Sequence, residues 1–211
     1  MTASTERVSP LGDWSASFAA TSVSETHFRI WELVCSSQIN LRGNAGDVAF
    51  AGAVRDTLGF ELPATANTWS GSIEHAAIWL GPDEWLLTAP AGENVMLESA
   101  LRTALRGVHH SVVDLSANRT VIAISGSDAR PVLAKGCSLD LHAAAFAAPQ
   151  SAQTLLAKAQ LILQCADAKD AFRLYVRNSF AHYVAEWLTD AASESVAARA
   201  LDSERIAACL R

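Results

Sequence analysis

One short segment of the sequence holds three side chains that could act together in a reaction. Cys137, Asp140 and His142 supply a thiol, a carboxylate and an imidazole. These are the groups of a nucleophile, an orienting acid and a base, and each is also a metal ligand. In the structural alternative, Gly136 ends a helix and Lys135 interacts favourably with the C-terminal dipole of that helix. One short loop rarely provides triad geometry by itself, so the structural interpretation is the simpler one.

A predicted turn between two tryptophans is the second candidate. Trp79 and Trp85 flank a Gly-Pro-Asp-Glu segment that favours a turn backbone, so the apolar runs around it form a hairpin. Asp83 and Glu84 resemble a carboxylate pair, but both are solvated at the tip of a turn. Two interpretations of the tryptophans stay open: they anchor a partner from a rigid tip, or they fill the core.

The third candidate is an arginine next to another predicted turn. Asp114 and Arg119 face each other across the short segment between them. They either form a surface ion pair, worth under about 1 kcal/mol, or leave Arg119 to bind the carboxylate of a ligand. The chain has no G-x-G-x-x-G motif and no P-loop, so the usual nucleotide-binding folds are not expected.

Hydrophobic spacing predicts the elements that position these residues. An alternating segment at 37–42 predicts a strand, followed by a helix that Asp47 caps and Gly59 ends. The hairpin of residues 76–88 comes next, then a second helix that Gly107 stops.

The same order then begins again. Residues 111–125 predict a second hairpin, in which the strand at 121–124 is apolar on both faces and therefore central. Ser127 caps the next helix, and strands follow within 152–176. The final helix is predicted to place three apolar residues on one face, Phe180, Val184 and Leu188.

This repetition predicts an α+β protein made of two halves, each a small antiparallel sheet with helices on one face. We expect a mobile N-terminal arm at 1–24, a first half at 25–107 and a second half at 108–190. An alanine-rich tail follows at 191–211.

Composition narrows the function classes. The 211 residues carry a net charge of −6, half of them are hydrophobic and only 18% are charged. A disordered chain is excluded by this composition, and a nucleic-acid or anionic-membrane surface would need clustered Lys and Arg. No apolar run is long enough to span a membrane, and the first residues lack the pattern of a secretory signal, so we expect a cytoplasmic protein.

The four cysteines, Cys35, Cys137, Cys165 and Cys209, contain no Cys-x-x-Cys pair. Free thiols are therefore expected rather than a disulfide framework or a zinc site. No metal or cofactor is expected on this chain.

Several segments taken together resemble the gamma subunit of heterotetrameric sarcosine oxidase over about residues 28–190. The most specific part is the run 134–142, followed by Phe146 and the segment Ala-Gln-Thr-Leu-Leu at 152–156. The other parts are Leu62-Pro63 with Asn67-Thr68-Trp69, residues 79–87, 113–120, 132–142 and 152–158, and Ser179-Phe180-Ala181 with Glu186-Trp187-Leu188.

The resemblance implies a fold similar to the folate-binding region of the glycine cleavage T-protein. It also implies an assembly with alpha, beta and delta subunits that demethylates sarcosine oxidatively, giving glycine, hydrogen peroxide and, with tetrahydrofolate, methylenetetrahydrofolate. In the family, the alpha chain binds NAD and folate, the beta chain carries FAD and FMN, and the delta chain binds zinc. No catalytic, cofactor-binding or metal residue is carried over to this chain.

The role implied for this chain is therefore assembly. Its candidate interface residues are Trp79, Asp83, Trp85, Arg119, Lys135, Asp140 and His142. Two alternatives stay open, a self-standing folate-binding module of the T-protein type and a subunit of a related N-methyl amino acid demethylase. An enzyme built on Cys137 or His142 is a third, weaker hypothesis.

Overall fold

The computed structural model describes residues 8–24, 26–167 and 170–209, without the side chains of residues 167, 196 and 198–209. In this part of the chain, ten strands form two antiparallel sheets. The strands are β1 (Arg29–Glu32), β2 (Ser37–Gly43), β3 (Trp69–Gly71), β4 (Ala76–Gly81), β5 (Glu84–Ala89), β6 (His110–Asp114), β7 (Arg119–Ser125), β8 (Ser151–Leu156), β9 (Ala159–Asp167) and β10 (Ala171–Arg177).

Each sheet has five strands. The order in the first is β3-β4-β5-β2-β6, and the order in the second is β1-β7-β10-β9-β8. The helices are α1 (Ser15–Thr21), α2 (Val48–Leu58), α3 (Asn94–Ala104), α4 (Ala129–Ala134) and α5 (Ala181–Cys209), with single 3₁₀ turns at Gly12–Trp14 and Asn178–Phe180.

Helices α2 and α3 pack on the outer face of the first sheet. Phe50 and Val54 of α2 and Leu101 of α3 are completely buried, and they share one core with Leu41 and Trp85 of the sheet. Apolar residues recur at helical spacing in α2 and α3 and at alternate positions in β2, so each of these elements has one face available for this core.

The second sheet has its own helical layer, made of α1, α4 and α5. Val184 and Leu188 of α5 and Val132 of α4 are buried against Ile122 and Leu174 of the sheet. The two sheets meet through their inner faces, where five buried side chains pack together: Ile78, Leu86, Val121, Ile162 and Tyr175. The described chain is thus a helix–sheet–sheet–helix sandwich, and the prediction of an α+β fold is confirmed.

The predicted hairpin at 111–125 is wrong. Strand β6 pairs with β2 in the first sheet, whereas β7 pairs with β1 and β10 in the second. The segment between them does turn, since the N–H of Asn118 donates to the carbonyl of Leu115 at 2.8 Å. That turn carries the chain from one sheet to the other. Each sheet therefore also takes one strand from beyond the expected boundary near residue 107. The division into two domains at that boundary stays a prediction.

Most of the other local predictions hold. Asp47 caps α2 by accepting the N–H of Ala49, and Gly59 ends the helix with a φ of +79°. Strand β7 is interior and apolar, and β4 and β5 form the predicted hairpin. Ser127 does not cap α4, whose N-cap residue is Asp128. Phe180 is 40% exposed because it lies in the turn before α5 rather than on its buried face.

The N-terminal segment differs from the expected arm. Residues 8–24 form a turn and helix α1, and Leu11 and Phe18 are buried in the core of the second sheet. Residues 1–7 lie outside the described part. At the other end, helix α5 continues through the alanine-rich segment to Cys209, which agrees with the high helix propensity of alanine.

Candidate functional site

Cys137, Asp140 and His142 do not form a triad. The Cys137 sulfur is buried and lies 3.8 Å from the hydroxyl of Thr154. The Asp140 carboxylate accepts the backbone N–H of His142 at 3.0 Å, and His142 Nδ1 accepts the backbone N–H of Ala144 at 3.2 Å. The carboxylate and the imidazole thus stabilise the loop backbone, and both side chains are exposed.

The residue that holds this loop in place was not among the predicted site residues. Arg130 of α4 donates to the carbonyls of Leu141 at 2.5 Å and Phe146 at 2.7 Å, pairs with Asp170 and lies 5.0 Å from the ring centre of Phe172. Its side chain is only 13% exposed. The fork of donors on one guanidinium suits this use, which a lysine could not reproduce. The sequence contains no local signal for it, because the acceptors are backbone carbonyls 11 and 16 residues away.

The Lys135 side chain makes its contacts within this chain. Its ammonium donates to the carbonyl of Ala191 at 2.6 Å and to the carboxylate of Glu194 at 3.0 Å. These contacts join the end of α4 to the middle of α5. The lysine therefore orients helix α5, and its exposed side chain stays a candidate interface contact.

The hairpin between β4 and β5 separates the two tryptophans. Trp85 is 1% exposed, and its indole N–H donates to the carbonyl of Pro63 at 3.1 Å. Its side chain therefore belongs to the core rather than to a partner-binding surface. Trp79 is half-buried against the same core, and Asp83 at the exposed tip pairs with Arg42 at 2.9 Å. Such a solvated pair contributes under about 1 kcal/mol, so Asp83 remains available to a partner.

Arg119 is partly buried and lies near another positive charge. Burial, and then the positive charge of Arg177, lower the pKa of the Arg119 guanidinium, while Glu84 raises it. Its Nη1 atom is buried and, within the described chain, has no hydrogen-bond partner. Asp114, the expected ion-pair partner, accepts from Ser116 and Asn94.

The fold brings three of the predicted regions together around one cleft. Arg119 and the loop residues Ser138 and Leu139 line it, and so does Gln153 of β8. The amide of Gln153 donates to the carbonyl of Leu80 in the hairpin at 2.8 Å. Loop, hairpin and arginine are thus neighbours, although their sequence separation gave no sign of it.

These groups can bind and hold a partner, but they are not arranged as a reacting set. In the described ranges, no group of three or more His, Cys, Asp or Glu side chains could hold a metal ion. No helix in the same ranges is both long and apolar enough to cross a membrane.

Comparison with known proteins gives consistent results. The model of the family described as "Sarcosine oxidase, gamma subunit family" matches residues 42–194. A sarcosine oxidase subunit gamma of Corynebacterium sp. (strain U-96) is 36% identical over 197 residues, covering 91% of this chain and 93% of the relative. The corresponding protein of Arthrobacter sp. is 37% identical over 167 residues, covering 77% of this chain and 79% of the relative.

Solved structures agree with the sequence matches. A chain of the heterotetrameric sarcosine oxidase from Corynebacterium sp. U-96, in complex with pyrrole 2-carboxylate, has a TM-score of 0.83 and 33% identity. The match covers 90% of this chain and 96% of that one. The glycine cleavage aminomethyltransferase T from Bartonella henselae has a TM-score of 0.56 at 20% identity, covering 85% of this chain and 49% of that one, which shows a shared fold alone. The chain belongs to the sarcosine oxidase gamma subunit family.

Proposed function

We propose that this chain is the gamma subunit of a heterotetrameric sarcosine oxidase and that its role there is assembly. The observation that carries the proposal is the match to a chain of such an enzyme, at a TM-score of 0.83 over 90% of this chain and 96% of that one. A match over nearly the whole length of both chains supports the same role for both.

In this proposal the chemistry belongs to the partner chains. The complex oxidatively demethylates sarcosine to glycine with release of hydrogen peroxide, and forms methylenetetrahydrofolate when tetrahydrofolate is present. FAD, FMN, NAD, zinc and tetrahydrofolate are held by the alpha, beta and delta subunits. The arrangement of Cys137, Asp140 and His142 supports this division, because the carboxylate and imidazole bind loop backbone instead of each other.

The part of the surface proposed to contact the partners is the exposed tip of the hairpin together with the exposed loop beside the cleft. Asp83, Asp140 and His142 present polar groups there, Trp79 adds half-buried aromatic area, and Lys135 lies at the end of α4. Aromatic area with a polar rim is typical of stable interfaces, which bury above about 1,000 Å² in total.

The test is co-expression of the four chains with and without this one. We expect omission to lower the yield of a stable complex of the other three chains, measured by size-exclusion chromatography with mass determination, and with it the sarcosine-dependent formation of peroxide. A full yield of active complex without this chain would refute an assembly role.

One pair of variants localises the interface. Asp83→Lys reverses a charge at the hairpin tip, and Asp56→Lys makes the same change in α2, where the side chain is 72% exposed and pairs with Arg55 of the same helix. We expect Asp83→Lys to reduce incorporation into the complex and Asp56→Lys to leave it unchanged. Equal incorporation of both variants would show that the hairpin tip is not part of the interface.

A further inference from the structure

Two arginines lie directly opposite each other on neighbouring strands of the second sheet. Arg119 begins β7 and Arg177 ends β10, and the two are paired in register. Side chains opposite each other in an antiparallel pair have Cβ atoms about 4.5–5.5 Å apart, and like charges there are destabilising. The fold therefore places two guanidinium groups side by side on one face.

The nearby carboxylate of Glu84 does not neutralise both guanidinium groups. Glu84 of the first sheet exerts an opposing charge on Arg119, but its carboxylate also accepts from Asn40 at 2.8 Å and lies 4.0 Å from Arg42. The Nη1 atom of Arg119 remains buried and unpartnered among the described residues. A buried donor without an acceptor is costly, so the Arg119 guanidinium lacks a full set of acceptors while it lies beside the positive charge of Arg177.

Both arginines line the cleft described above, which has a volume of about 490 Å³. Its walls combine polar side chains, Gln153, Gln160 and Ser138, with apolar ones such as Leu139. The volume lies within the range of small-ligand pockets, and a few converging polar groups on apolar walls are typical of them. The apolar part of the walls can contact the carbon skeleton of an organic anion, which an inorganic anion lacks.

We propose that this cleft is a carboxylate-binding site in which Arg119 and Arg177 hold one carboxylate between them. The carboxylate comes from a small organic acid or from an Asp or Glu side chain of a partner subunit, since both present the same two oxygens to the guanidinium donors. This site goes beyond the assembly role, because it assigns a ligand chemistry to a cleft of this chain.

The first experiment uses the full-length chain and a panel of sodium acetate, glutarate and benzoate, with inorganic phosphate for comparison. We expect the arginine Nε–H signals of Arg119 and Arg177 in NMR spectra to shift saturably with at least one of the organic acids. Affinity should fall at least about tenfold, equivalent to about 1.4 kcal/mol, in Arg119→Gln and Arg177→Gln. Arg106→Gln changes an exposed arginine outside the cleft and should bind as the unmodified chain does.

The second experiment is a structure of the assembled complex, which identifies the source of the carboxylate. A partner carboxylate within hydrogen-bond distance of both arginines assigns the site to an interface, and an organic acid there assigns it to a ligand. If the cleft holds neither in the complex and no acid of the panel binds to the chain, the proposal is overturned. If the chain is insoluble alone, the structure of the complex decides by itself, and a cleft without a carboxylate overturns the proposal. Neither readout uses sarcosine turnover, so failure of the proposed function is seen separately.

Discussion

Replacing Gly43 by alanine should destabilise the packing of α2 on the first sheet. Gly43 ends β2, and a Cβ atom there would lie 2.1 Å from Cε2 and 2.5 Å from Cζ of Phe50. Carbon atoms in contact are about 3.5–4.0 Å apart, so the ring would have to move by more than an ångström. Phe50 is completely buried with its ring centre 6.2 Å from that of Trp85, so packed neighbours oppose this movement. Overpacking of this kind costs about 1–3 kcal/mol.

The matched control is the same substitution at Gly52, which lies in α2 two residues beyond Phe50. A Cβ atom there has no heavy atom within 4 Å, and alanine is favoured over glycine in a helix by about 0.8–1.0 kcal/mol. The two Gly→Ala variants should therefore change the free energy of unfolding in opposite directions. At about 2–4 °C per kcal/mol for a chain of this size, Gly43→Ala lowers Tm by about 2–12 °C and Gly52→Ala raises it by about 2–4 °C.

Urea unfolding followed by tryptophan fluorescence measures both variants, with far-UV circular dichroism for Tm. The double variant Gly43→Ala/Phe50→Leu should lose less stability than the sum of its single changes, because the smaller side chain relieves the contact. Coupling of about 0.5–3 kcal/mol is usual for residues in direct contact. A Gly43→Ala variant as stable as the unmodified chain, or additive single effects, would refute the packing described for α2.

Three further predictions concern the loop, a thiol and a buried phenol. Arg130→Lys keeps the charge beside Asp170 but loses donors to two loop carbonyls, so it should cost about 1–3 kcal/mol and speed proteolysis within 138–146; unchanged cleavage would contradict the anchoring role. Cys137→Ala should leave assembly and sarcosine turnover of the complex intact, whereas a loss of turnover in a fully assembled complex would restore a catalytic role. Burial raises the pKa of Tyr175, so the folded chain holds this proton more tightly and loses stability as pH rises above about 10. Tyr175→Phe should show a smaller alkaline loss in urea unfolding between pH 9 and 11, and an equal loss in both proteins would contradict the assignment.

The sequence predicted those features of the fold that depend on local patterns. The Asp47 cap, the Gly59 stop and the hairpin between β4 and β5 all follow from residues within a few positions of each other. The path from β6 to β7 could not be predicted in this way. A short turn between two apolar runs is typical of a hairpin, and only long-range pairing, such as that of Asn40 with Val113, assigns β6 to the first sheet.

The same limit applies to the candidate site. Arg119 stands out in the sequence because it follows a turn, but its partner Arg177 is recognisable only once the register of β7 with β10 is known. Arg130 gives no sequence signal, because its acceptors are backbone carbonyls. The two tryptophans differ in burial for a related reason. They are directly paired across β4 and β5 and therefore share a face, but the buried ring of Phe50 packs against Trp85.

The proposed function makes this chain a subunit of a flavin-containing complex. The measurement that tests it most directly is purification of the tagged chain from its native cells, with partner masses and visible absorbance recorded on the same sample. We expect three further chains in stoichiometric amounts together with the absorbance of bound flavin. A chain that is recovered alone and colourless would contradict the claim.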